Sequence, residues 1–254
     1  MESHNILEYG EFISSVRQNR DSKFGFLLGA GTSLSSGVQS ASDCIWDWKR
    51  EIYCRYNESH RINFPDARSK FAKTQIQKWL DAQGGYPTLG AEDEYVFYAE
   101  KAHPIASDRV RYFNSLIHDK VPYVGYRLLC LLNKYSIVES VWTTNFDGMT
   151  ERAAHQMNIT PKVITLDNQQ DIYRTISSTE LMCISLHGDY KYSTLKITSS
   201  ELDNQSEVFC QVMTYYFTTR HLVVLGYSGR DNSLMSALKN TFTASGRGRL
   251  YWCG

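Results

Sequence analysis

The chain has 254 residues, 42% hydrophobic and 13% aromatic. This is ample material for a packed core and excludes overall disorder; at ~150 residues per domain it makes one large domain or two small ones. Lys+Arg and Asp+Glu both number 27, so the basic excess of a non-specific nucleic-acid binder is missing.

Six cysteines, at 44, 54, 130, 183, 210 and 253, form no CxxC pair. That argues against a zinc ribbon or a dithiol redox site and suits buried thiols in a reducing compartment. The opening MESHNILEYGEF lacks the basic and apolar regions of a secretory signal. No apolar run approaches the ~18 residues of a membrane span. The expectation is a soluble, cytoplasmic protein without membrane contact.

Ile6, Tyr9, Ile13 and Val16 recur at helical spacing and predict a first helix with one buried face. Phe24 to Leu28 is a short apolar run that ends in Gly29-Ala30-Gly31, as a strand buried on both faces would. Ser40 or Ser42 can cap a following helix in which Ile45, Trp48, Ile52 and Tyr56 share a face. Strand, glycine turn and helix open a nucleotide-binding α/β fold. Residues 58–135 show helical periodicity and almost no strand signal. Phe71, Trp79 and Leu80 mark one stretch, Val110, Phe113, Leu116 and Ile117 another, and Leu128, Leu129, Leu131 and Leu132 a third. This reads as a helical insertion, most simply a cap packed over the cleft.

Strands then alternate with helices. Strands are expected at 138–144, 162–166, 182–186, 221–225 and 249–253. Helices are expected at 147–157, up to 176, at 200–219 and at 231–240. The pattern predicts an α/β, Rossmann-like, mostly parallel sheet with helices on both faces. The expected organisation is a single nucleotide-binding domain over 1–254. Because the chain stops directly after an apolar strand, it is expected to be the N-terminal part of a longer protein.

In open parallel sheets ligands bind at the carboxyl ends of the strands. Polar clusters sit at four such ends: Gly29-Ala30-Gly31-Thr32-Ser33 with Gly37, Thr144-Asn145-Phe146-Asp147, His187-Gly188, and Gly226-Tyr227-Ser228. All four should open onto one crevice. The first loop can cradle a pyrophosphate, although Leu34 breaks the GxGxxG spacing and a plain tight turn explains it equally well. His187 can serve as a base near neutral pH or be structural. Asp147 can cap the next helix or hold a carboxamide or ribose hydroxyl, and Asn145 can orient a water without adding charge.

At this point the sequence resembles the sirtuin family. Gly29 to Val38 (GAGTSLSSGV) resembles the sirtuin opening motif, and Thr144-Asn145-Phe146-Asp147 resembles the later T-N-I/F-D motif. Leu186-His187-Gly188 resembles the catalytic His-Gly, and Leu225-Gly226-Tyr227-Ser228 resembles the following glycine–serine loop. The four stand in the family's order across residues 24–230. The resemblance implies that Gly29, Ala30, Gly31, Thr32, Ser33 and Gly37 wrap the pyrophosphate of NAD+. It implies that Thr144 and Asn145 lie near the nicotinamide ribose, that Asp147 holds the carboxamide, and that His187 is the base. Gly226, Ser228 and Cys253 would line the adenosine side.

The departures are equally informative. Sirtuin deacylases carry zinc on two CxxC pairs, absent here, and their G-I-P-D-F-R continuation is replaced by Gly37-Val38-Gln39-Ser40. The pattern is similar to zinc-free, sirtuin-like effector domains of bacterial anti-phage systems, which deplete NAD+ in abortive infection. That resemblance implies an NAD+ glycohydrolase with NAD+ as substrate and no zinc. It further implies a homo-oligomer, with a sensor or STAND-type ATPase domain attached or tethered, and no nucleic acid bound by this domain. The alternatives are a protein deacylase or ADP-ribosyltransferase on the same site, and a non-catalytic sensor of NAD+ or ADP-ribose.

Overall fold

The computed structural model describes residues 6–91, 93–165, 171–174, 176–177, 179–186, 206–229, 231–244 and 248–253. Six parallel strands form one sheet in the order β3-β4-β2-β1-β5-β6. They are β1 (Phe24–Leu28), β2 (Val138–Thr143), β3 (Thr160–Ile164), β4 (Glu180–Ser185), β5 (His221–Leu225) and β6 (Leu250–Cys253). The order runs outward from β1 in both directions, so this is the Rossmann-like α/β fold that the alternating pattern predicts. Strand pairing aligns the last residues in a row: Cys253 beside Leu225, Leu225 beside Leu28, Leu28 beside Thr143, and Thr143 beside Ser185. Every loop that leaves a carboxyl end from this row therefore starts at one edge of the sheet.

The sheet is covered on both sides. Leu27, Trp142, Leu222 and Val224 face α8 (Ser206–Phe217) and α9 (Asn232–Ala244) in one core. On the opposite face Leu28, Val141 and Cys183 meet α6 (Val124–Lys134) and α7 (Met149–Gln156). Phe24 and Val223 on that same face meet α1 (Tyr9–Gln18). The apolar runs of the central strands follow from this double coverage.

Between β1 and β2 the described chain is helical: a 3-10 turn at Ala30–Ser36, then α2 (Ala41–Tyr56), α3 (Lys70–Gln83), α4 (Glu94–Ala102), α5 (Ala106–Ile117) and α6. Ser40, of the two candidate caps, begins α2. Its hydroxyl accepts from the Asp43 amide at 3.1 Å, and the Asp43 carboxylate accepts from the Ser40 amide at 3.2 Å, a reciprocal capping box. Helices α2 to α5 have their own core around Trp48, Ile76, Tyr98 and Phe113. Lys49 of α2 is buried there, 2.5 Å from Glu94 Oε1 and 2.8 Å from Gln77 Oε1, with its ammonium over the rings of Trp46 and Tyr98. One cation thus pins α2, α3 and α4 in register.

Several expectations need correction. α1 packs Phe12 and Val16, both half-buried, against the sheet rather than Ile6 and Tyr9, which are 93% and 79% exposed. Tyr56, which the spacing puts on a face with Ile45, Trp48 and Ile52, is exposed while those three are buried, and Phe71, Leu128 and Leu131 of the later helical stretches are exposed too. α7 starts at Met149, after Gly148 in a left-handed conformation, two residues later than expected. β3 and β4 begin and end earlier than predicted, at Thr160–Ile164 and Glu180–Ser185. Residues 171–173 form only a short 3-10 turn. Residues 200–205 of the expected helix 200–219 lie outside the described residues.

Candidate functional site

Loops from three strand ends knit together at the carboxyl edge. The Gly31 amide donates to Gly226 O at 2.9 Å, and the Gly29 amide donates to Leu225 O at 3.0 Å. Here the two backbones touch: a Cβ added to Gly29 would lie 2.5 Å from Gly226 O, and one added to Gly226 would lie 2.7 Å from the Thr32 amide nitrogen. Gly226 also takes φ +60°. No side chain fits at this crossing, which explains glycine in both loops. Ala30, Gly31, Gly37, Gly226 and Ser228 are solvent-exposed, and Cys253 is half-buried at the end of the neighbouring β6.

The β2 loop completes the arrangement. The Thr144 amide donates to Leu28 O at 3.2 Å. Asn145 Nδ2 lies 3.0 Å from Gly29 O, 3.3 Å from Thr32 Oγ1 and 3.0 Å from Ser33 Oγ. Gly29 O is a carbonyl and can only accept, so the NH2 end of Asn145 must face the loop and Oδ1 must point away from it. Thr32 spends its proton on Gly29 O at 2.8 Å, and Ser33 donates to Asp147 Oδ2. Asp147 Oδ1 accepts from the Met149 amide at 2.9 Å. Asp147 therefore performs the helix-start role open to it in the sequence and also joins the β2 loop to the first loop. It is buried, and desolvation pushes its pKa above the usual carboxylate range, against the lowering effects of the Ser33 and Met149 hydrogen bonds.

Two members escaped the sequence reading. Tyr126 of α6 places its hydroxyl 2.8 Å from Ser33 Oγ and 3.2 Å from Thr32 Oγ1, and burial pushes its pKa up to about 12. Since Ser33 gives its proton to Asp147, Tyr126 donates to Ser33. No local motif marks Tyr126, and only the fold brings α6 under the loop. Thr143, rather than Thr144, supplies the side-chain contacts: its hydroxyl donates to Leu28 O at 3.2 Å and accepts from the Asn145 amide at 2.9 Å.

A small pocket lies beside this network, lined by Thr143, Asn145, Asp147, Glu151 and Ser185 among others. Phe146 also lines it and packs against Phe113 of α5, with ring centroids 4.2 Å apart and the planes tilted by 59°. The helical segment thus touches the β2 loop directly. Arg152 of α7 reinforces the link by donating to Ile117 O at 3.2 Å and Lys120 O at 2.8 Å at the end of α5. His187 and Gly188, expected at the end of β4, lie outside the described residues.

Among the described residues the cysteines are dispersed through the fold. Cys44 and Cys54 are buried in α2, Cys130 in α6 and Cys183 in β4, with Cys253 in β6. Burial pushes the Cys44 and Cys130 thiols up to about 12 and about 11, away from the thiolate a metal requires. Among the described residues no group of three or more His, Cys, Asp or Glu could hold a metal ion. Among them, too, no helix is long and apolar enough to cross a membrane.

Comparison with known proteins places this site in context. The SIR2-like domain family matches residues 139–253, the stretch holding the Asn145 loop, His187 and the Gly226 loop. One similar solved structure is Sir2 in complex with an inhibitor, 2'-O-acetyl-ADP-ribose and a deacetylated p53 peptide. It is 15% identical, with 96% of this chain and 85% of that chain covered and a TM-score of 0.46. Another is Sir2 bound to an acetylated peptide, also 15% identical, with 97% and 86% covered and a TM-score of 0.40. No curated relative matches the chain.

Proposed function

We propose that the protein is an NAD+ glycohydrolase that cleaves NAD+ to nicotinamide and ADP-ribose. The observation that carries this reading is Asn145. Its carboxamide is fixed by an acceptor-only carbonyl, so its oxygen has one orientation, suited to accept a hydrogen bond from a water molecule. The matching SIR2-like segment supports the choice of NAD+. The same four strand-end motifs support treating residues 1–254 as one NAD-binding domain that includes the helical segment.

The pyrophosphate would lie over the exposed glycine crossing of Ala30, Gly31, Gly226 and Ser228, with Thr32 and Ser33 beneath and Gly37 closing the turn. The adenosine end would run toward Cys253. Nicotinamide and its ribose would enter beside Thr144, Asn145 and Asp147. Bond breaking sends the glycosidic electron pair to the pyridinium nitrogen and leaves an oxocarbenium-like ribosyl centre. Water hydrogen-bonded to Asn145 Oδ1 attacks that carbon, and its proton passes to His187 and then to solvent.

The cysteine placement supports hydrolysis over peptide deacylation, since nothing described builds the zinc module that flanks an acyl-peptide groove. The setting we propose is depletion of NAD+ in anti-phage abortive infection in the cytoplasm, under a sensor or ATPase domain. The test is release of nicotinamide from NAD+ by the protein with and without acetylated peptide. Peptide-independent release abolished by His187→Ala is expected; release only with peptide would assign a deacylase instead.

A further inference from the structure

The β2 loop that carries Asn145 is held by two separate sets of contacts. One set comes from the first loop: Leu28 O accepts from the Thr144 amide, Gly29 O accepts from Asn145 Nδ2, and Ser33 donates to Asp147. The other comes from the helical segment. Phe146 stands between Asn145 and Asp147 in the chain, and its ring centroid lies 4.2 Å from that of Phe113 on α5. Phe146 packs against the core of α2 to α5 and also against the core between the sheet, α6 and α7. Two polar residues tied to the first loop thus flank one aromatic residue tied to α5.

Phe113 is a firm support. It is fully buried. Trp48 of α2 meets it edge-on at 6.1 Å, and Tyr95 of α4 and Tyr112 of α5 pack on Trp48 at 5.1 and 5.5 Å. Interiors packed this closely transmit strain rather than absorb it. The far end of α5 is tied down as well. Arg152 of α7 donates to Ile117 O, in the last turn of α5, at 3.2 Å and to Lys120 O just beyond it at 2.8 Å. Because α7 follows directly on the β2 loop, α5 braces that loop at its middle and again just past its end.

Phe146 lines the pocket together with Asn145 and Asp147. The glycine crossing, by contrast, is built from the loops after β1 and β5. We propose that Phe113 is a positioning residue for Asn145. Acting through Phe146, it holds the carboxamide where water is oriented, so the helical segment governs turnover while the glycine crossing governs capture of the dinucleotide. A displacement of about 1 Å at an orienting group can cost about a hundredfold in rate, whereas loss of a uniform binding contact raises KM alone. The kinetic part rests on the NAD+ reading. The mechanical part, that Phe113 keeps the β2 loop in place, does not.

The test compares Phe113→Leu with Ile76→Ala in the intact protein. Ile76 is equally buried in the same core but belongs to α3, so its truncation reports loss of core packing alone. Phe113→Leu should lower kcat for nicotinamide release by about tenfold or more, or about 1.4 kcal/mol of barrier, and leave KM for NAD+ within about threefold. Ile76→Ala should lower the urea midpoint at least as much and keep kcat within about twofold. Phe113→Leu combined with Phe146→Leu should be no slower than the slower single variant, as expected of two residues that act through one contact. Hydrogen exchange read by mass spectrometry follows the loop without substrate. The Thr144, Asn145 and Met149 amides are each bonded in the wild type. They should exchange about tenfold faster in Phe113→Leu and at the wild-type rate in Ile76→Ala. Equal exchange in the two variants would overturn the proposal. So would a kcat that falls in both in step with stability, or a KM that rises while kcat holds. If the wild type releases no nicotinamide, the NAD+ reading falls, and the exchange comparison still decides whether Phe113 holds the loop.

Discussion

Gly226→Ala probes the backbone crossing on which the site is built. The substitution has two costs. At φ +60° an alanine is strained by about 1–2 kcal/mol. Its Cβ would also lie 2.7 Å from the Thr32 amide nitrogen and 2.9 Å from the Gly31 carbonyl carbon, both backbone atoms that cannot swing aside. The loops must separate, and the 2.9 Å hydrogen bond from Gly31 to Gly226 O is lost, at about 0.5–1.5 kcal/mol. The sum is about 1.5–3.5 kcal/mol. Gly37→Ala is the internal control, because Gly37 has φ +78° while its added Cβ would meet only the flexible Lys120 side chain at 3.6 Å. It should cost the left-handed conformation alone, about 1 kcal/mol. Urea unfolding followed by tryptophan fluorescence measures both, and calorimetric titration with NAD+ should show binding lost in Gly226→Ala. If the two variants unfold at the same urea concentration, the loops do not touch as described.

Other outcomes follow from single contacts. Tyr126→Phe removes the donor to Ser33 in a buried network, so unfolding free energy should fall by about 1–2 kcal/mol and nicotinamide release should slow; an unchanged variant would remove Tyr126 from the site. Burial raises the Asp147 pKa above its unfolded value, so its penalty is absent below the unfolded pKa and grows as pH rises through the folded one. Wild type should therefore lose stability relative to Asp147→Asn between about pH 4 and the raised pKa; urea midpoints that differ by a constant across that range would contradict this. Lys49→Met leaves Glu94 buried without its cation and should cost about 3–5 kcal/mol, much of it recovered in Lys49→Met with Glu94→Leu; thermal unfolding of both variants decides it.

What the sequence revealed and what it concealed have physical reasons. Strand runs such as His221–Leu225 were legible because double coverage makes them continuously apolar, and the observed strand has those same bounds. The Gly29 and Gly226 loops were legible as glycine and small polar residues directly after such runs. Helix faces were not. α1 and α6 are apolar on more than one side, so periodicity alone cannot decide whether Phe12 or Tyr9, Leu129 or Leu128, turns inward. Tyr126 and Phe113 reach the site through packing across almost the whole helical segment, and nothing near them in sequence points there. Asp147 shows a third limit: its position suggested either a helix start or a ligand contact, and the fold gives it the helix-start bond together with a bond to Ser33.

The most direct measurement is the rate of nicotinamide release from NAD+ without peptide, with ADP-ribose quantified in the same samples, for wild type and Asn145→Ala. Equal yields of the two products, falling by at least about a hundredfold in the variant, are the predicted result. Undiminished release in Asn145→Ala, or no ADP-ribose from the wild type, would contradict it.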